Sequence, residues 1–169
     1  ESPQAMRFFA ENLSEEEILG QVFLLGYPDT DVTPFLKHWI ENWGLGGIKI
    51  FPRNVNSLEE LADTIDTFQR IANNQSRQIP LFVATDQEGG WVNHIKHTTS
   101  QTSGNLSLGA SGLPADSYLS GYYLGSELAA LGINMNFAPT VDVYSHPAAS
   151  VIGPRAFSSD PVQAGLLGV

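Results

Sequence analysis

Short apolar runs alternate with helical stretches along the chain, and this alternation constrains the fold more than any other feature. The runs are Val22-Phe23-Leu24-Leu25-Gly26, Ile48-Lys49-Ile50-Phe51, Leu81-Phe82-Val83-Ala84 and Ile133-Asn134-Met135-Asn136-Phe137-Ala138. Each reads as a buried strand. Ahead of the first run, Ser14-Glu15-Glu16-Glu17 has the form of a capping box. Between the first two runs, Phe35, Leu36, Trp39 and Ile40 recur at helical spacing until Gly44, Gly46 and Gly47 stop them. A second capping box, Ser57-Leu58-Glu59-Glu60, opens a stretch with Leu58, Leu61, Ile65, Phe68 and Ile71 on one face. Pro114 starts a helix through Leu119, Leu124, Leu128 and Leu131, closed by Gly132. Ser159-Asp160-Pro161 starts the last helix, which runs about two turns over 162–169. The Ser-, Thr- and Gly-rich stretch from Thr98 to Ser111 reads as a long surface loop.

Strands that are apolar throughout and separated by helices imply a parallel sheet covered on its faces. Four βα units in 169 residues are half the content of an eight-stranded barrel, which typically needs ~250 residues. A four-stranded doubly wound sheet is the competing architecture. The first strand leads into Gly26-Tyr27-Pro28-Asp29, which lacks the G-x-G-x-x-G fingerprint of that alternative. The expected fold is therefore α/β, a TIM-type (β/α)8 barrel of which residues 1–169 supply the first half. The chain begins at Glu1 without a basic and apolar leader, so its start reads as processed or trimmed. The short final helix reads as a truncation, a cleavage point or the limit of the ordered chain.

Composition removes several classes of function. There is no cysteine, which excludes disulfides, thiol nucleophiles and cysteine-ligated metals. Eight basic against 18 acidic residues give a net charge of -10, unsuited to generic phosphate-backbone binding, so no nucleic-acid partner is expected. No apolar run approaches the ~18–20 residues of a membrane span. A neutral or cationic small substrate suits such a chain better.

In βα folds ligands sit at the carboxyl ends of the strands. Here those ends carry Pro52-Arg53-Asn54, then Asp86-Gln87-Glu88-Gly89-Gly90, then Pro139, Asp142 and Gly153-Pro154-Arg155. Charged and amide side chains on three of four tips indicate a polar pocket. Asp86 and Glu88 are two apart and would leave an extended chain on one side. Two such carboxylates suit the acid and nucleophile of a retaining glycosidase. Alternatively, Asp86 grips sugar hydroxyls as a charged acceptor, or Glu88 merely caps the turn. The gripping reading of Asp86 ranks ahead of the nucleophilic one. Arg155 reads either as a donor to substrate oxygens or as a structural partner of Asp142 or Asp160. Asp142 itself reads as a holder of loop backbone. His94 is placed either facing substrate or facing solvent. His94 and His97 have no glutamate between them, so no metal site is expected. His38, in a helical pattern, reads as structural. Trp39, Trp43 and Trp91 are candidates for stacking on sugar rings, although Trp39 has core spacing. Asn12, Asn74 and Asn105 begin glycosylation sequons, which matter only in a glycosylated secreted protein.

Four ordered motifs resemble a known family. They are Gly46-Gly47-Ile48-Lys49-Ile50-Phe51-Pro52-Arg53-Asn54, Asp86-Gln87-Glu88-Gly89-Gly90-x-Val92, the stretch from Glu127 through Asn136-Phe137-Ala138-Pro139 to Asp142-Val143, and Ile152-Gly153-x-Arg155-x-Phe157-x-x-Asp160-Pro161. Together they resemble the N-terminal barrel of glycoside hydrolase family 3, in its bacterial β-N-acetylhexosaminidase type. The resemblance runs from about Leu13 to the C-terminus. It implies a retaining mechanism through a covalent glycosyl-enzyme, with no cofactor. It implies that Asp86 binds hydroxyls of the terminal sugar and that Arg155 also contacts it, so Asp86 is not the nucleophile. The family's Lys-His pair, its histidine acid/base and its nucleophilic aspartate follow later strands and match nothing in these 169 residues. The family commonly reads Arg-Val-x-Arg after the double glycine, where this chain has Trp91-Val92-Asn93-His94. His94 would have to replace a substrate-reaching arginine, and a neutral imidazole has no bidentate fork.

The function expected from the resemblance is removal of terminal β-linked N-acetylhexosamine, from fragments such as those of peptidoglycan or chitin. A non-catalytic sugar-binding barrel and a β-glucosidase are the alternatives. The expected partners are a small carbohydrate and a complementing fragment or second copy that completes the barrel. The compartment is left open between bacterial cytoplasm and export with the leader removed.

Overall fold

The computed structural model describes residues 11–96, 99–146, 148 and 150–169. His97 and Thr98 lie outside the described residues. Two compact units divide the chain, Glu1–Ala84 and Thr85–Val169.

In the first unit the elements are α1 (Glu15–Gly20), β1 (Leu24–Gly26), α2 (Pro34–Trp43), β2 (Gly47–Lys49), a 3-10 turn (Pro52–Asn54), α3 (Leu58–Asn73) and β3 (Phe82–Thr85, whose last residue belongs to the second unit). The strands pair in parallel, Leu25 opposite Ile48 and Ile48 opposite Val83. Ile48, Ile50, Leu81 and Val83 are buried, as are Leu36 and Ile40 of α2 and Leu61, Ile65 and Phe68 of α3. Each such side chain contributes ~1.5–3 kcal/mol on burial. The expected caps are present. Ser14 and Glu17 complete the reciprocal capping box of α1. Ser57 accepts from the Glu60 N–H at 3.1 Å to start α3.

The first strand is shorter and less buried than its apolar run implied. The Val22 and Phe23 N–H groups bond to the Leu19 and Gly20 carbonyls, at 3.2 and 3.1 Å. That makes them the turn leaving α1, and Phe23 turns outward onto Trp39 with ring centroids 5.7 Å apart.

In the second unit β4 (Gln87–Gly89) and β5 (Val92–Asn93) form an antiparallel hairpin. It is followed by α4 (Asn105–Ser111), α5 (Pro114–Ala130), β6 (Met135–Asn136), a 3-10 turn (Gly153–Arg155) and α6 (Pro161–Leu167). The stretch expected to be all loop from Thr98 to Ser111 thus contains a helix. Its start is anchored tertiarily: the buried Asn105 amide donates to the carbonyls of Arg155 (2.7 Å) and Thr140 (3.3 Å). No local periodicity among small residues signals such an anchor. The fourth strand is likewise trimmed from six residues to two. Beyond Met135, the Asn136 side-chain amide takes over the pairing, exchanging hydrogen bonds with the Gln87 backbone N–H and C=O at 3.0 Å each. One main-chain bond follows, from Phe137 N–H to the Thr85 carbonyl at 2.9 Å.

Candidate functional site

The site is assembled within the second unit, where β3 ends and the β4–β5 hairpin begins. Gln87 is the hinge of this arrangement. Its side chain is buried, donates to the Ile95 carbonyl at 2.8 Å, and accepts from the N–H groups of His94 and Ile95 at 3.0 Å. Those bonds draw the chain after β5 back beside Asp86. The two glycines that close the hairpin are required by space and by conformation. Gly89 has φ 85°, and a Cβ there would lie 2.0 Å from Thr102 Oγ1. Gly90 has φ 60° and faces the Cα of Gly104, 2.8 Å from where its Cβ would be.

Asp86 and His94 form a pair with His94 Nε2 3.7 Å from Asp86 Oδ2, their side chains 23% and 16% exposed. His94 therefore does not face open solvent. Among the described residues no three His, Cys, Asp or Glu side chains cluster as a metal site would need. Asp86 remains partly open to solvent, as a carboxylate that accepts from a ligand must.

Glu88 has a different partner from Asp86. Its carboxylate receives Arg155 side-on, Nε to Oε2 at 2.9 Å and Nη2 to Oε1 at 2.6 Å. The Glu88 side chain is 4% exposed and that of Arg155 27%. Arg155 Nη1 also donates to the Val151 carbonyl at 3.2 Å. The hydrogen bonds it donates to Glu88 hold the Arg155 guanidinium above its ordinary value, opposed by desolvation and aided by the nearby charges of Glu88, Asp142 and Asp86. Arg155 was expected to pair, if structurally, with Asp142 or Asp160. Neither does so: Asp160 caps α6 by accepting from the Val162 N–H at 2.9 Å, and Asp142 is exposed. The Glu88 partnership spans 67 residues of sequence, so no local spacing reveals it.

Asp86, His94 and Arg155 are thus brought into one neighbourhood, and Glu88 and Gln87 join it as residues the motif contained but whose roles its spacing did not disclose. Trp91 stands exposed on the hairpin tip. Trp39 and Trp43 stack on each other in the first unit, with centroids 5.6 Å apart. Asn105, read as a sequon, is buried and cannot carry a glycan. A cavity of about 620 Å³ in the second unit touches Glu88, Asn136, Ser117 and Tyr122, but not Asp86, His94 or Arg155. Apart from Glu88, the charged side chains of the cluster lie outside the cavity lining, so the cluster is the candidate site. The cluster can accept hydrogen bonds through Asp86 and donate them through Arg155, which is the complement of a polyhydroxylated ligand.

The sequence pattern of the "Glycosyl hydrolase family 3 N terminal domain" matches residues 14–169. The chain belongs to glycosyl hydrolase family 3. A family-3 relative, "Beta-hexosaminidase A" of Pseudoalteromonas piscicida, is 38% identical over 144 residues, covering 83% of this chain and 24% of the relative. "Beta-hexosaminidase" of Hydrogenovibrio crunogenus is 33% identical over 165 residues, covering 90% of this chain and 44% of the relative. The solved structure of a family-3 β-N-acetylglucosaminidase from Paenibacillus sp. str. FPU-7 superposes with a TM-score of 0.89 at 34% identity, over 92% of this chain and 30% of that one. This family-3 chain therefore spans less than half the length of these relatives. Its fold is that of a TIM-barrel-type α/β domain, as the alternation of strands and helices indicated, and the chain is part of such a domain.

Proposed function

We propose that the full-length protein is a retaining glycoside hydrolase that removes terminal β-linked N-acetylglucosamine, and that residues 1–169 supply the first four βα units of its barrel. The observation that carries this reading is the pairing of an acceptor and a donor in one site. Asp86 lies partly open, and Arg155 is locked beside it with N–H groups to spare, in a family-3 chain whose relatives bear hexosaminidase names. In this reading Asp86 accepts hydroxyl hydrogen bonds of the terminal sugar and Arg155 donates to its oxygens. The nucleophile and the acid/base lie in the part of the protein that follows the fourth strand. His94 contacts the sugar through, or together with, Asp86.

The test is turnover of chromogenic N-acetyl-β-glucosaminide by the full-length protein, with the matching β-glucoside as reference. The expected result is a clearly higher kcat/KM for the N-acetylated substrate. No turnover of either substrate supports a sugar-binding barrel without catalysis, and a preference for the glucoside supports a β-glucosidase. His94, standing where the family commonly has arginine, is the observation that keeps the glucoside comparison necessary.

A further inference from the structure

We infer that Glu88 sets the charge class of the sugar this site accepts, admitting neutral sugars and excluding acidic ones. The inference rests on the sugar-binding reading of Asp86 and Arg155 above. A guanidinium carries five N–H donors and recognises a carboxylate or phosphate by offering two of them in parallel. In this chain one such edge, Nε with Nη2, is filled by the buried Glu88 carboxylate at 2.9 and 2.6 Å. A third N–H goes to the Val151 carbonyl. Two N–H groups remain, one on each terminal nitrogen, so at most one further two-donor edge is left, on a guanidinium whose charge Glu88 already balances.

The charge balance acts in the same direction. Glu88 cancels the charge of Arg155, and both Asp86 and Asp142 are close enough to act on Arg155 electrostatically. The nearby imidazole, His94, has its Nε2 3.7 Å from the Asp86 carboxylate. An acidic sugar that reaches Arg155 therefore meets carboxylates around a guanidinium that is already neutralised, and like charges so placed cost affinity. Glu88 touches the sugar only through Arg155, so it is a positioning residue with a specificity role. A purely structural ion pair would hold the 3-10 turn without altering which sugar binds.

The experiment is calorimetric titration of the full-length protein with three probes: N-acetylglucosamine, its 6-phosphate and glucuronate. In the unaltered protein, N-acetylglucosamine is expected to bind at least about tenfold more tightly than either acidic sugar. In Glu88→Gln the charge and one acceptor of the fork disappear. The two acidic sugars should then gain on N-acetylglucosamine by about tenfold or more. An unchanged ratio, with all three affinities falling together, would overturn the inference and leave Glu88 a holder of the turn. Should the variant fail to fold, the unaltered protein decides by its salt dependence. Rising salt should strengthen binding of the acidic sugars by screening the repulsion, and a weakening overturns the inference. Turnover is scored separately. A protein that binds N-acetylglucosamine and refuses the acidic sugars, yet hydrolyses neither glycoside, loses the enzymatic reading and keeps this one. A protein that binds none of the sugars overturns both.

Discussion

Tyr27 is a buried phenol whose hydroxyl has no hydrogen-bond partner among the described protein groups. Its ring packs edge-on against Phe68, with centroids 5.4 Å apart. Its backbone carbonyl is held by Arg53 Nε at 2.9 Å and Asn54 Nδ2 at 3.0 Å. The residue is thus placed by its ring and carbonyl, and the hydroxyl contributes nothing to that. Burial pushes the phenol from 10.0 up to about 12. The folded state therefore keeps the proton longer than the unfolded one. The stability linked to it is complete below pH 10 and is lost as pH rises from 10 towards 12. Tyr27→Phe should be neutral or stabilising by up to about 1 kcal/mol at pH 7 in urea unfolding, since it removes an unpaired buried polar group. The variant should also lose less stability than the parent between pH 10 and 11. A loss above about 1.5 kcal/mol at pH 7 would reveal a partner for the hydroxyl.

At the same scale, in the proposed reading Asp86→Asn should lower kcat/KM of the full-length protein by about 10- to 150-fold, the worth of a hydrogen bond to a charged group. Circular dichroism should stay unchanged, because Asp86 is partly exposed and β4 is held by Gln87 instead. Asp86, His94 and Arg155 were legible in the sequence as candidates because each lies beyond a strand end. Glu88 as the partner of Arg155 and Gln87 as the clamp on His94 were not. Both roles depend on where a chain segment returns in space, and residue type does not carry that information.

Among the elements, α1 is too short to persist by itself, since isolated helices below ~12–15 residues are marginal in water. It is tied down at Glu17, which closes the capping box with Ser14 and receives Arg77 Nη1 at 2.5 Å. Arg77 Nη2 donates in turn to the carbonyls of Ile40 and Glu41 in α2. The hydrogen bond from Ser14 and the Arg77 guanidinium hold the Glu17 carboxyl below its usual value. Its stabilising effect is present above the unfolded carboxylate range and is lost as pH falls through the folded value. Arg77→Met should cost about 1.5–3 kcal/mol in urea unfolding at pH 7. Glu17→Gln should flatten the acid limb of the stability profile, and an acid limb identical to the parent's would remove Glu17 from its causes. Helix starts were readable here because caps are local: Ser14, Ser57 and Asp160 all act within three residues. The helix α4 was not readable, because Asn105 is fixed by the carbonyls of Thr140 and Arg155, 35 and 50 residues away.

For the whole molecule, the order of motifs carried more than any single one. Strand ends, a double-glycine tip and a late arginine recur in sequence along nearly the full chain, and the family match covers residues 14–169. The division into Glu1–Ala84 and Thr85–Val169 left no trace in composition, because the boundary falls inside β3, an apolar strand like its neighbours. That division bears on activity. Asp86, Glu88, His94 and Arg155 all belong to the second unit, where they pair as Asp86 with His94 and Glu88 with Arg155, and in the proposed reading they hold or recognise the sugar. Glu88, the more deeply buried of the two carboxylates, is bound to Arg155 on both oxygens and has no geometry for attacking an anomeric carbon. A retaining reaction needs a free nucleophilic carboxylate and an acid/base, and in the proposed reading both follow later strands. A polypeptide of these 169 residues should therefore release no chromophore above background from N-acetyl-β-glucosaminide, while the full-length protein does. Intact mass identifies which species is in the assay. Retaining hydrolysis by the verified 169-residue polypeptide would move the nucleophile into this chain, and Asp86 would be the first carboxylate to re-examine.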